Sequence, residues 1–467
     1  MTRLSSFLRS LHGDGVNRSI LHAAAVVTVA GVAAKCVGTV KEIAVAGIYG
    51  RSDAMDAYLA AALIPGLLIN LIAESMNQAL IPTLVKVRER EGREQAQQLL
   101  SCALLWLVLL LTAAALAMAL GARGFFPLIA SHYPAAKLDL AVRLFYALLP
   151  TVVLSGVAAL CSAVLNTCER FAAPALAPAL LPLAILSGAL LLGGRMGVWA
   201  LVWASVAGAL LHTGLLAKLM DVHGYRFQLR RSASTQASRE VVQQYGPVLL
   251  SSLVASGGLL VDQSMAAMLP AGSVSALAYA GRYVGLVLTL LGGAVSTALV
   301  PYLSRLVAQR DWAACRRTLR LWLGGTALLS VPLALLLIAA APELVRLTLQ
   351  HGVFHRGDTQ AVAPVLAMYA LQIPFFVTSR VFYRFLVALR RTDLIFYCGA
   401  VNLALDVVLN LLLMRSMGVA GIALATSLWT VSTFLFLGFW TGKLLARAEA
   451  AQRQGEGKEN SPGQGRI

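Results

Sequence analysis

Apolar runs of about twenty residues or more recur from one end of this sequence to the other, more than any soluble core could bury. A helix needs roughly 20 such residues to cross about 30 Å of hydrocarbon. The runs lack the period-two alternation of a membrane barrel, so helices are the spanning elements. Breakers between runs place twelve spans at about 20–49, 55–85, 98–122, 138–165, 171–193, 197–219, 243–269, 274–304, 318–340, 360–388, 394–414 and 418–442. Hydrophobic residues make up 58% of the chain and charged residues 13%, with a mean hydropathy of +0.76, so the bilayer is its solvent.

The net charge of +17 is spread over short loops between spans and is not gathered into a basic domain, which argues against nucleic acid as a partner. The loops sort by charge. With the amino terminus inside, about 25 cations fall on the cytoplasmic side and about seven on the other, and this asymmetry sets orientation. Both termini are then cytoplasmic. The six cysteines and seven histidines have no metal-site or disulfide spacing, and no P-loop or HExxH run is present. The expectation is a non-enzyme without cofactor or metal, driven by a substrate gradient, a coupling ion (H+ or Na+) or the membrane potential.

Two halves repeat at an offset of roughly 220 residues. Ala79-Leu80-Ile81-Pro82 corresponds to Ala298-Leu299-Val300-Pro301. Tyr146-Ala147-Leu148-Leu149-Pro150 corresponds to Tyr369 through Pro374, and Met196-Gly197-Val198 to Met417-Gly418-Val419. Six helices per repeat give both halves one orientation. The fold expected is an all-α polytopic membrane protein of about twelve helices, in two parallel-repeat six-helix bundles around a central cavity. The divisions are a cytoplasmic lead-in (1–19), an N-terminal bundle (20–222), a cytoplasmic linker (223–242), a C-terminal bundle (243–446) and a disordered tail (447–467). Pro65, Pro82, Pro150, Pro247, Pro301 and Pro374 are predicted bends.

An ionisable residue at a span centre costs about 2.5 to 3.5 kcal/mol on insertion scales, so each must pair, face water or serve function. The first span carries Lys35, Lys41 and Glu42. The second carries Asn70, Glu74, Asn77 and Gln78 as one polar stripe. The seventh has Asp262, the eighth Arg282, the tenth Arg380 and Arg384, and the eleventh Asn402, Asp406 and Asn410 at intervals of four. One reading lines a hydrated cavity with Arg282, Lys35, Lys41, Glu42, Asn70, Glu74 and Asp262, its cations binding an anionic headgroup. Asp56, Gln78, Arg380 and Asp406 are then structural or gating positions. The other reading is internal pairing, Lys35 or Lys41 with Glu74 and Arg380 with Asp406, with Arg384 snorkelling to the interface.

The stretch Gly38 to Glu42, Gly50, Met55-Asp56-Ala57-Tyr58, Ile64-Pro65, Ala73-Glu74 and Gln78 to Pro82 resembles the opening motif of the MviN/MurJ family of lipid-linked oligosaccharide flippases. Asn166 to Pro178, Gly246-Pro247, Asp262, Gly272 to Ser275, Tyr279 to Arg282, Gly352-Val353-Phe354 and Tyr369 to Arg380 extend it from about residue 20 to 445. The resemblance implies the multidrug/oligosaccharidyl-lipid/polysaccharide exporter fold, a bacterial inner-membrane location and an undecaprenyl-pyrophosphate-linked substrate crossing a cationic cavity. It maps Arg282 onto a cavity arginine, and Lys35, Lys41 and Glu42 onto family positions usually Arg, Arg and Asp. Lysine keeps the charge but loses the planar fork that grips phosphate. Gly66, Ile69 and Asn70 stand where the peptidoglycan flippases typically have Asn and an Arg pair, and those proteins typically continue for two more helices. Lipid II and a related exopolysaccharide or capsule repeat unit both remain open as substrates. A cation-coupled drug antiporter of the same superfamily is the alternative.

Overall fold

The computed structural model describes residues 15–168, 172–225 and 235–459. The lead-in before Gly15, the middle of the linker (226–234) and the tail beyond Glu459 lie outside these residues. Among the described residues every regular element is a helix. The first half comprises α1 (Gly15–Tyr49), α2 (Asp53–Leu68), a π-helical segment (Ile69–Glu74), α3 (Ser75–Arg90), α4 (Arg93–Ile129), α5 (Ala135–Leu148), α6 (Pro150–Thr167), α7 (Ala172–Leu176), a 3-10 turn (Ala177–Ala179), α8 (Leu180–Met196) and α9 (Trp199–Val222). The second comprises α10 (Thr235–Ala267), α11 (Ser273–Ala308), α12 (Trp312–Leu349), α13 (Arg356–Ala370), α14 (Gln372–Ala388), α15 (Thr392–Met417) and α16 (Val419–Glu459).

These elements fall into the twelve spans expected. Ten are long and apolar enough to cross a membrane by length and composition alone. The two outside that group are α1 and α10, which open the two halves and carry Lys35, Lys41 and Glu42, and Arg239, Glu240 and Asp262. The fourth span breaks at Leu149, where Pro150 begins α6 and has no N–H to continue the ladder. The tenth span breaks at the matching place, Leu371, two residues before Ile373-Pro374. The repeat is also written in the backbone. Gly197 joins α8 to α9 at φ 56° and ψ −139°, and Gly418 joins α15 to α16 at φ 57° and ψ −133°, a conformation that L side chains avoid.

Compactness divides the chain into two units, Met1–Ser275 with Thr348–His355, and Ala276–Leu347 with Arg356–Ile467. Counting six helices per half puts the division in the linker, whereas packing puts it after Ser275, because α10 is tied to the second span. The Tyr245 hydroxyl donates to the Ile72 carbonyl at 3.4 Å, Ser75 Oγ donates to Ser252 Oγ at 3.0 Å, and Lys86 Nζ meets the Glu240 carboxylate at 3.0 Å. In the second unit, Phe382 and Leu386 of α14 pack against Leu394 and Cys398 of α15 and Leu437 of α16. The described part of α16 continues as helix to Glu459, into the stretch from residue 447 for which composition predicts disorder.

Candidate functional site

Asp56 lies in the first turn of α2, which Ser52 caps through the Met55 N–H. The residue is 1% exposed and its carboxylate is fully engaged. Oδ2 accepts from the Gly272 N–H at 2.7 Å, Oδ1 from the Ser275 N–H at 2.9 Å, and Lys137 Nζ of α5 lies 3.1 Å from Oδ2. The two N–H groups belong to the start of α11, so Asp56 caps that helix from a distance and meets the positive end of its dipole. Arg51 Nε donates to the Gly272 carbonyl at 3.0 Å. Lys137 also bridges to Asp53 at 2.6 Å and stands 4.1 Å from the centre of the Tyr133 ring. Burial, with Asp56 and Asp53 beside it, pushes the Tyr133 phenol well above its ordinary range.

The segment Thr348–His355 docks on the same end of the first unit. The Val353 N–H donates to the Gly47 carbonyl at 2.9 Å, and Gly352, at φ 61°, lies against that carbonyl so closely that a Cβ would collide with it. The chain therefore leaves the first unit beside Asp56 and re-enters it beside Gly47.

The remaining predicted residues divide by environment. On α1, Lys41 Nζ pairs with its neighbour Glu42 at 2.5 Å, and Glu42 is 9% exposed. Lys35 is exposed, and its side chain makes no ion pair or hydrogen bond among the described residues. Internal pairing of either lysine with Glu74 is not observed. Asn70 and Glu74 lie on the π-helical segment and are exposed, as is Gln78, while Asn77 is buried. The i→i+5 turn widens the repeat beyond 3.6 residues, which keeps Asn70, Glu74 and Gln78 together and turns Asn77 away. The carbonyl of Ile72 within it takes the Tyr245 hydroxyl. Asp262 is buried on α10.

In the second unit Arg282 is exposed on α11. Arg380 does not pair with Asp406. It stacks instead, its Cζ 4.3 Å from the centre of the Phe376 ring. Asp406 is 1% exposed and accepts from Asn410 Nδ2 at 3.2 Å; Asn402 Nδ2 donates to Thr433 Oγ1 of α16 at 2.7 Å. That seam joins α15 to α16, as interhelical hydrogen bonds do in apolar surroundings. A separate crevice of about 200 Å³, lined by residues including Met76, Cys102, Trp106, Val241 and Tyr245, is apolar and unsuited to a charged headgroup.

Sequence reasoning missed Lys137, which lies one residue ahead of the span expected at 138–165 and whose burial only the fold shows. It also missed Ser252 and Tyr245, whose partners are far away in sequence and invisible to periodicity.

The family model described as "Lipid II flippase MurJ" matches residues 45–452. The chain belongs to that family. As a MurJ-family member it is 29% identical over 366 residues to the lipid II flippase MurJ of Burkholderia cenocepacia, covering 74% of this chain and 69% of that one. It is 26% identical over 440 residues to the probable lipid II flippase MurJ of a Synechocystis species, covering 90% and 82%. Among solved structures it is similar to lipid II flippase MurJ in an inward closed conformation, with a TM-score of 0.78, 23% identity and coverage of 89% and 87%. It is also similar to an inward-facing multidrug resistance MATE transporter, with a TM-score of 0.75, 14% identity and coverage of 89% and 96%. These likenesses establish the fold: a multi-pass helical membrane protein of the MurJ and MATE type.

Proposed function

We propose that this MurJ-family chain carries an undecaprenyl-pyrophosphate-linked glycan precursor, lipid II or a related envelope repeat unit, from the cytoplasmic to the outer leaflet of the bacterial inner membrane. The work is transport rather than chemical conversion. Family membership along most of the chain supports the reading, and the observation that carries it is the placing of exposed cations, Lys35 and Arg282, on helices of membrane-crossing length. An inert bundle gains nothing from holding charge there, whereas a diphosphate headgroup needs it.

In this mechanism the two units alternate access. The headgroup enters from the cytoplasmic side, its diphosphate meets Arg282 and the α1 lysines, and Glu42 holds Lys41 in place. Asn70, Glu74 and Asp262 complete the polar lining, and Gln78 continues the stripe inward. Asp56 is a structural or gating position, holding the start of α11 within the first unit. H+, Na+ or the membrane potential supplies the drive, and both termini face the cytoplasm.

The MATE likeness keeps a cation-coupled drug antiporter in view, but that activity calls for an apolar or acidic lining, and Lys35 and Arg282 are neither. Reconstituted protein tests the choice. Flipping of a fluorescent undecaprenyl-linked glycan supports the proposal, and export of lipophilic cations without glycan flipping contradicts it. Comparing lipid II with other undecaprenyl-linked glycans then names the cargo.

A further inference from the structure

Arg380 and Arg384 of α14 are one turn apart, so their guanidinium groups share a face. The Tyr383 ring stands against both, 5.9 Å from Arg380 Cζ and 5.6 Å from Arg384 Cζ, and Phe376 closes on Arg380 from the preceding turn. Neither arginine makes an ion pair among the described residues, and the Nε of Arg384 is buried without a hydrogen-bond partner. Snorkelling accounts poorly for that nitrogen, because a side chain reaching for the interface would present it to water.

Like charges at this spacing repel each other, and each is expensive within a span. The aromatic faces return only part of that cost. What they do provide is position: two planar forks held beside aromatic rings, Arg380 Cζ 4.3 Å from the Phe376 centre and Arg384 Cζ 5.6 Å from that of Tyr383, with N–H groups left to donate. Such a pair fits a phosphate or diphosphate, whose oxygens accept from arginine in bidentate fashion.

The position of the pair relative to Arg282 gives it a purpose. A Cβ on Gly292 of α11 would stand 3.4 Å from Phe376 and 4.0 Å from the Arg380 side chain, so α11 passes directly beside the pair. Arg282 is ten residues earlier on the same helix, about 15 Å along its axis at 1.5 Å per residue. All of these residues belong to the second unit. From Arg282 the pair lies toward the end of α11 and α14 that carries Arg305, Arg390 and Arg391, the cytoplasmic end by charge.

We propose that Arg380 and Arg384 form a second anion subsite, which takes the diphosphate of the carried lipid about 15 Å inward of Arg282, so that the headgroup passes between two cationic stations on one unit. The proposal rests on the transport reading above. It assigns Arg384 a binding role, and it makes Arg380 a ligand-contacting residue held ready by Phe376 and Tyr383.

The test uses the full chain in nanodiscs of zwitterionic lipid, titrated calorimetrically with inorganic pyrophosphate. Arg384→Gln and Arg380→Gln should each weaken binding roughly tenfold to a hundredfold, the loss of a charged hydrogen-bond pair, and Arg384→Lys should recover part of it. Unchanged affinity in both glutamine variants, or no saturable binding by the wild type, overturns the subsite. Should Arg380→Gln fail to fold, Arg384→Gln, at a partly buried position, carries the test alone. Glycan flipping in the same preparations separates the two failures. Flipping at the wild-type rate in the double variant overturns the subsite and leaves transport standing. No flipping by the wild type removes the transport reading and the subsite with it.

Discussion

Replacing Asp56 by alanine should loosen the start of α11 far more than the same change at Asp53, although both carboxylates meet Lys137. Asp56 is buried and accepts two backbone N–H groups and an ammonium at 2.7, 2.9 and 3.1 Å. Removing it leaves Lys137, whose side chain is 6% exposed, with only the more exposed Asp53 as counter-ion, and leaves the Gly272 and Ser275 amides without their carboxylate acceptor. Breaking a buried pair by deleting one partner costs about 3–5 kcal/mol. Lost caps cost about 0.5–2 kcal/mol, a term that overlaps the first and is not added to it. Asp53 is 62% exposed, so its contact is largely screened and its loss costs about 0–1 kcal/mol. Hydrogen exchange read by mass spectrometry on peptides spanning 268–276 gives the local measure. A loss of about 3 kcal/mol corresponds to exchange faster by roughly a hundredfold where opening is local. Thermal unfolding in detergent gives the global one. Equal effects of Asp56→Ala and Asp53→Ala on both measures would refute the reasoning.

Other consequences follow from single contacts. Gly352→Ala should lower the thermal midpoint and raise exchange in 348–355, because the new Cβ collides with the Gly47 carbonyl and the residue sits at φ 61°; an unchanged midpoint would deny that this segment is docked. Asn402→Ala should cost about 1 kcal/mol by removing the bond to Thr433, within the range of interhelical hydrogen bonds in membranes, as measured by refolding from mixed micelles. Lys86→Ala and Glu240→Ala should each cost no more than about 1 kcal/mol, fading with added salt, since their pair is exposed. A larger, salt-independent loss would show that the pair does more than tie α3 to α10.

The spans were legible because their signal is local. Apolar runs fix length, Pro150 and Pro374 mark where the fourth and tenth break, and Gly197 and Gly418 announce joints that recur with nearly the same backbone angles. The grouping of helices was not legible. Whether α10 sides with the first or second half depends on Tyr245, Ser252 and Glu240 meeting partners more than 150 residues away, and periodicity carries nothing of that. The π-helical segment was missed for a related reason: a stripe drawn at 3.6 residues per turn puts Asn77 with Asn70 and Glu74, and one widened turn removes it. At the candidate site the identities of the charged residues were legible and their pairings were not. Lys41 pairs with its neighbour Glu42, Arg380 takes aromatic rings instead of Asp406, and Asp56 takes the start of a helix more than 200 residues downstream. Charge in an apolar span signals that a partner is needed, while the fold chooses the partner.

The most direct test of the central claim is flipping of a fluorescent undecaprenyl-pyrophosphate-linked glycan by the full chain in proteoliposomes, alongside Lys35→Ala, Lys41→Ala and Arg282→Ala. The account predicts flipping by the wild type and a loss of at least tenfold in the Arg282 variant, about 1.4 kcal/mol of headgroup binding, with smaller losses for the lysines. Wild-type protein that leaves the glycan in its original leaflet, or three variants that flip it at the wild-type rate, would contradict it.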